Sequence, residues 1–344
     1  MGSQMCKPLN NEKSEQDNAE TRCTTETRSR QGVSHETQTP PLGESSRHKT
    51  CQKNPGHKGY IAAHKFKIKH LPKTHRDQDV LDVIIAASQL TVRVSVRAIS
   101  PQRPEFWPGS NHCYPHYNEQ KSLLRTGSGM VSEVYKYTDG YFERDRVQHH
   151  QRKQHCWCAN CQRSNTPSSV WWEVFVDTAA HVVFDETEAC ETSLRLFYDT
   201  KDSPLYIINT AVIDFVNVQR DFSKLKCVTC DKHIGEQLQR FFLNFDKAWK
   251  TVTNKYFDKR DVNRMTFIVS HPHGYPKQIS LGEWQDKLQT GDFIKFCYTT
   301  PTCPGSSGAT VQCIGYRWWG RWDQLVHSGN IDYNLNSSGA GEVW

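Results

Sequence analysis

A serine sits among small residues in Thr302-Cys303-Pro304-Gly305-Ser306-Ser307-Gly308-Ala309. Glycines on both sides allow a tight loop that exposes a hydroxyl and turns backbone N–H groups toward whatever the hydroxyl attacks. Donors of that kind stabilise the oxyanion of acyl transfer. A serine nucleophile also needs a base, and the base needs an orienting partner. Two upstream segments offer them. Thr178-Ala179-Ala180-His181 follows the apolar run Val170 to Val176, which reads as a strand that ends at a histidine. Asp221 opens the segment Asp221-Phe222-Ser223-Lys224-Leu225, also strand-like. Asp214, in Val212-Ile213-Asp214-Phe215, is a rival carboxylate. The preferred set is His181, Asp221 and Ser307, in that chain order, one of several orders that serine triads take.

A second group of residues suits a metal. His155-Cys156-Trp157-Cys158-Ala159-Asn160-Cys161 holds three thiols, and Cys227-Val228-Thr229-Cys230 adds a C-x-x-C pair. Two short pairs brought together by a long loop suit tetrahedral zinc. The expected structural site is Cys158, Cys161, Cys227 and Cys230, with Cys156 as an alternate ligand. Reduced buried thiols, or a disulfide if the protein is secreted, are the other readings of the same residues.

These residues need a scaffold, and the patterning supplies one that is mostly strand. Thr91 to Val96 alternates with period two, and Met265 to Ser270 and Ile294 to Tyr298 also read as strands. Residues 79–88 read as a short helix or a buried strand. Between the strand groups, Ile234, Leu238, Phe241, Phe242, Phe245, Trp249, Val252 and Tyr256 recur at three and four, one apolar face of a long helix. Trp318, Trp319 and Trp322 form an aromatic cluster that either lines a pocket or fills core. Residues 1–57 hold almost no large apolar side chain and read as a disordered polar tail.

The chain resembles the trypsin-like, chymotrypsin-fold (S1-type) serine peptidases over roughly residues 120–335, as a divergent intracellular member. Gly127-Ser128-Gly129-Met130-Val131 is similar to the strand that opens the family's first barrel. Thr178-Ala179-Ala180-His181, Arg220-Asp221-Phe222-Ser223-Lys224-Leu225 and Cys303 to Ala309 resemble its histidine, aspartate and nucleophile motifs. Gly274-Tyr275-Pro276 with Ser280-Leu281-Gly282, and Val326-His327-Ser328-Gly329, are weaker matches. The resemblance implies that Ser307 is the nucleophile, His181 the general base and acid, and Asp221 the residue that orients the imidazole. It implies an oxyanion hole from the amides of Gly305 and Ser307. Ser328 and Gly329 would align an extended peptide by strand addition. Ser306 stands where zymogen-activated members carry an acid, so activation by an inserted N-terminus is not expected. Tyr298 to Thr302 carry no acidic group to attract Lys or Arg, so cleavage after basic residues does not follow from the resemblance.

The expected class is mostly β, a chymotrypsin-like double antiparallel barrel with a long helical insert. The expected division is a polar tail 1–57, an extension 58–119, a peptidase domain 120–335 and a C-terminal tail 336–344. Within the domain come a first barrel at about 120–230 with a Cys-rich insert 145–165, a helix 231–256, and a second barrel at about 262–335. The net charge of +6 over 344 residues is mild, and the basic clusters are short, so nucleic acid is not the expected partner. No apolar run of membrane-spanning length occurs, and the N-terminal residues lack the apolar stretch of a secretory signal. A cytoplasmic location, with the 13 cysteines mostly reduced, is therefore expected. The expected partner is a peptide or protein substrate, and the expected activity is serine endopeptidase, with no catalytic cofactor. An inactive peptidase-fold scaffold and a zinc-stabilised nucleic-acid-binding module are the alternatives.

Overall fold

The computed structural model describes residues 34–35, 51–119, 124–142, 155–317, 324–332 and 334–343. In chain order, strands β1 (Ser34–His35) and β2 (Tyr60–Ala62) precede helix α1 (Gln78–Leu90). Strands β3 (Thr91–Val96), β4 (Arg125–Thr138) and β5 (Tyr141–Phe142) follow, then the short helix α2 (Ala159–Gln162) and β6 (Val170–Thr178). Helix α3 (Glu186–Cys190) leads into β7 (Thr192–Leu196), β8 (Tyr206–Ile208), β9 (Ala211–Asn217) and β10 (Phe222–Thr229). After the long helix α4 (Lys232–Tyr256) come β11 (Met265–Ser270), β12 (Gln278–Thr290) and β13 (Phe293–Tyr298). The last strands are β14 (Val311–Cys313), β15 (His327–Asp332) and β16 (Leu335–Ser338).

The chain is mostly β, as expected, and where a double antiparallel barrel was expected it forms two antiparallel sheets. One sheet runs β8-β7-β3-β4-β6-β10-β9 with β5 on β4, and the other runs β1-β15-β16-β13-β12-β11-β14 with β2 on β12. Strand parity divides the first sheet into two environments. In β6, Trp172, Val174 and Val176 face the main core, while Trp171 faces a separate cluster with Cys156, Cys158 and Cys161. On that other face Asp177 meets Lys224 of β10, Nζ to Oδ1 3.2 Å, and Lys224 also reaches Glu133 of β4 at 3.2 Å. Burial is tolerated here because the lysine has two carboxylates and the Ser132 hydroxyl as partners.

The long helix forms where the 3.6-residue pattern places it. Asp231 caps α4 by accepting from the Ile234 amide, and Ile234, Leu238, Phe245, Trp249, Val252 and Tyr256 are buried. Gly235 is required there, because a Cβ would fall 2.1 Å from the Trp172 ring. Helix α4 packs on α1, β4 and β6, and the Tyr256 hydroxyl donates to Asp77, the N-cap of α1.

Two parts of the expected layout need revision. Strand β3 lies inside the first sheet between β4 and β7, so that sheet begins well ahead of residue 120. Residues 51–57, assigned to the polar tail, are folded: Asn54 donates to the Thr302 carbonyl and Lys53 to the Thr302 hydroxyl. Polar side chains anchor this segment, so its low hydrophobicity misreads it. The rest of that tail except 34–35, most of the 145–165 insert ahead of residue 155, and the Trp318, Trp319 and Trp322 cluster lie outside the described residues. Among the described residues no helix is long and apolar enough to cross a membrane.

Candidate active site and thiol clusters

The Thr178-Ala179-Ala180-His181 segment leaves β6 in one helical turn, with the amides of Val182 and Val183 both donating to the Ala179 carbonyl. Small residues are needed there, and Ala179 and Ala180 are fully buried. The turn leaves His181 beside the hairpin that joins β9 to β10. Asp221 ends that hairpin at φ +53, a left-handed conformation that aspartate tolerates better than most residues. His181 Nδ1 lies 2.8 Å from Asp221 Oδ2 and 3.0 Å from Oδ1, and the His181 amide donates to Oδ1 at 3.0 Å. The Ser328 hydroxyl donates to the same carboxylate at 2.6 Å. The rival Asp214 sits on a bulge in β9, where burial pushes its carboxyl up against the pull of Lys226 and Lys224.

The nucleophile-like loop is built from close approaches. Gly305 and Gly308 have φ +97 and +81. A Cβ on Gly308 would stand 2.1 Å from Thr178 Oγ1 and 2.9 Å from the Ala179 amide nitrogen, so this loop packs directly on the His181 turn. A Cβ on Gly127 would meet both Val182 and the Ser307 carbonyl, which explains glycine in β4. The Ser306 hydroxyl holds the loop from inside, 3.0 Å from Ser270 Oγ and accepting from the Cys303 amide. Ser307 is fully buried, and its hydroxyl makes no hydrogen bond among the described residues, to His181 or any other group. The Gly305 and Ser307 amides likewise donate to no described acceptor.

Several groups around His181 were not foreseen from the sequence. Glu188 of α3 is buried between Arg103 and Arg125, with contacts of 2.7 and 3.0 Å. Burial pushes the Glu188 carboxyl up, but hydrogen bonds and charge from Arg103, then the charge of Arg125, hold it below its ordinary value. Burial lowers Arg125 to about 10, so it stays charged at neutral pH. Arg103 also donates to the His181 carbonyl at 3.1 Å. The Trp107 ring lies 6.4 Å from the imidazole and 4.5 Å from the ring of buried Tyr114. Arg103, Arg125 and Glu188 lie far apart in the sequence and gave no motif.

At the proposed peptide edge, Ser328 and Gly329 lie on β15. An extended piece of this same chain is paired there: Ser34 opposite Asn330 and His35 opposite Gly329, antiparallel.

The thiol group differs from expectation in one ligand. Cys156, Cys158, Cys161 and Cys230 bring their sulfurs within 4.8 Å of one another, a set that could hold a metal ion. Cys227 is not among them. Its position opposite Val174 turns it into the main core, and burial drives its thiol far up. Cys156, the alternate, takes the fourth place. Cys158 and Cys230 approach to 3.5 Å. Burial pushes Cys230 up to about 12, whereas for Cys158 the Cys161 amide and neighbouring thiols outweigh burial and lower it. Cys113 and Cys190 are each disulfide-bonded, while the other described cysteines are free.

No protein-family model and no curated protein matches the sequence. Solved structures similar to the chain include the HtrA-type protease AlgW with tripeptide, at 11% identity and TM-score 0.36, covering 75% of this chain and 58% of that one. The Rv3671c protease in its inactive form is similar at 10% identity and TM-score 0.35, over 76% of this chain and 90% of that one. A thermostable serine protease, AL20, from an extremophilic microorganism is similar at 10% identity and TM-score 0.35, over 75% and 92%. The chain thus spans little more than half the length of the first of these.

Proposed function

We propose that the chain is a serine endopeptidase that acts through His181, Asp221 and Ser307. The observation that carries the reading is the hydrogen-bonded series Ser328, Asp221, His181 set against a loop whose serine hydroxyl and two amides have no hydrogen-bond partner among the described residues. In this reading Ser307 Oγ attacks the peptide carbonyl carbon and its proton passes to His181. The C–N bond then breaks as His181 returns the proton to the leaving amine, and water releases the acyl group by the reverse sequence. Asp221 holds the imidazole by Nδ1 and stabilises its cationic form. The amides of Gly305 and Ser307 receive the oxyanion. Edge strand β15 aligns an extended peptide, a role supported by its pairing with Ser34–His35. The Cys156, Cys158, Cys161 and Cys230 set would hold a structural zinc that pins the insert to the end of β10.

A second reading, a peptide-binding scaffold without turnover, is favoured by the complete burial of Ser307. A fluorophosphonate probe separates the two, applied to the full chain and to a chain lacking residues 1–50, since Ser34–His35 covers the peptide edge. Labelling that disappears in Ser307→Ala and falls in His181→Ala is expected. Folded protein that takes no label in either form would leave the scaffold.

A further inference from the structure

Outside the proposed catalytic centre, four side chains from opposite ends of the sequence converge: Cys51, His57, His273 and Cys303. Their ligand atoms all lie within 4.8 Å of one another. The two sulfurs are 3.5 Å apart, and the two Nε2 atoms are 3.1 Å apart with ring planes at 89°. On a tetrahedral zinc, thiolates at about 2.3 Å from the metal stand roughly 3.8 Å apart, and imidazole nitrogens about 3.3 Å. The cluster is therefore a slightly contracted tetrahedral set, and the sulfurs are too far apart for a disulfide, at about 2.05 Å. Both cysteines are free.

The surroundings are arranged for thiolates. The Asn54 amide donates to Cys51 Sγ at 3.4 Å, and the Asn54 side chain donates to Cys303 Sγ at 3.2 Å. Donors aimed at both sulfurs are the outer shell that metal thiolates use. Gly56 has φ +71 and brings His57 back toward Cys51. His57 and His273 themselves sit at φ +50 and +55, a conformation rarely adopted without a specific constraint.

We propose that Cys51, His57, His273 and Cys303 form a divalent metal site of the two-thiolate, two-imidazole type, suited to zinc. Two thiolates neutralise the ion, and soft sulfur with imidazole selects zinc over calcium or magnesium. The site would clip residues 51–57 onto the approach to Ser307. Cys303 belongs to the loop itself, and the His273 amide donates to the Pro304 carbonyl at 2.5 Å, fixing the peptide that carries the Gly305 amide. The site stands whether or not the protein cleaves peptides.

Zinc analysis of the reduced full chain tests it. Two zinc ions per chain are expected, one lost in Cys51→Ser/His57→Ala and the other in Cys158→Ser/Cys230→Ser. Unchanged zinc in the first variant overturns the site. If that variant fails to fold, cadmium NMR of the wild-type chain decides. A two-thiolate, two-imidazole resonance beside a four-thiolate one is expected, and a four-thiolate resonance alone overturns the proposal.

Discussion

The amide of Ser128 donates to the carbonyl of Ser307 at 2.8 Å, joining β4 of one sheet to the nucleophile-like loop of the other. The Ser128 hydroxyl extends the junction, donating to the Gly305 carbonyl and accepting from the His271 amide, both at 2.8 Å. Ser128→Ala removes the hydroxyl bonds and leaves two buried backbone groups unpaired. A loss of about 1–3 kcal/mol is expected by denaturant unfolding. Turnover should fall more than substrate affinity, because the Gly305 peptide shifts. Unchanged kcat in the folded variant would break this link.

Asp221 accepts from the His181 imidazole, the His181 amide and the Ser328 hydroxyl. Asp221→Asn should lower kcat by about 10⁴, as loss of the orienting acid does in serine triads generally. Ser328→Ala should cost far less, roughly tenfold, the worth of one hydrogen bond to a charged group. Steady-state kinetics on a peptide substrate would check the ranking, and equal losses in the two variants would contradict it.

Gly308 has no room for a methyl group. The Gly308→Ala Cβ would enter Thr178 Oγ1 at 2.1 Å and the Ser128 carbonyl at 2.5 Å. Relief must separate the loop from the His181 turn, at a cost of about 3 kcal/mol. Thermal unfolding with probe labelling should show both lowered stability and lost labelling.

Acid should loosen the support behind His181. Glu188 is held below its ordinary 4.5, so its contribution is fully present above that pH and is lost as pH falls through the lowered folded value. Glu188→Gln leaves Arg103 and Arg125 buried beside a neutral group, and should cost about 3–5 kcal/mol at pH 7. The variant should also lose the stability decline below about pH 4.5 that is expected of wild type. Parallel unfolding curves across pH measure this directly.

The sequence made the local parts legible. A glycine-flanked serine, small residues before His181 and a strand-opening aspartate are short-range signals, and so is the apolar stripe of α4. What escaped depended on pairing between distant segments. Cys227 lies in a correct C-x-x-C, yet strand parity points it into the core. The Cys51, His57, His273 and Cys303 set has no sequence spacing to find, since its members meet only after both sheets form. Thr91 to Val96 was readable as a strand, but its place between β4 and β7 was not. Glu188, Arg103 and Arg125 lie far apart in sequence and form no motif, and only the fold buries them together.

On the proposed role of β15 as the peptide edge, the pairing of Ser34–His35 there would make the chain its own competitor. A segment tethered to the edge it occupies is present at an effective concentration in the millimolar range whatever the protein concentration. A peptide arriving from solution must displace it, so apparent affinity should improve severalfold when residues 1–50 are removed. Any cleavage near His35 would be first order in enzyme, with a rate that dilution does not change.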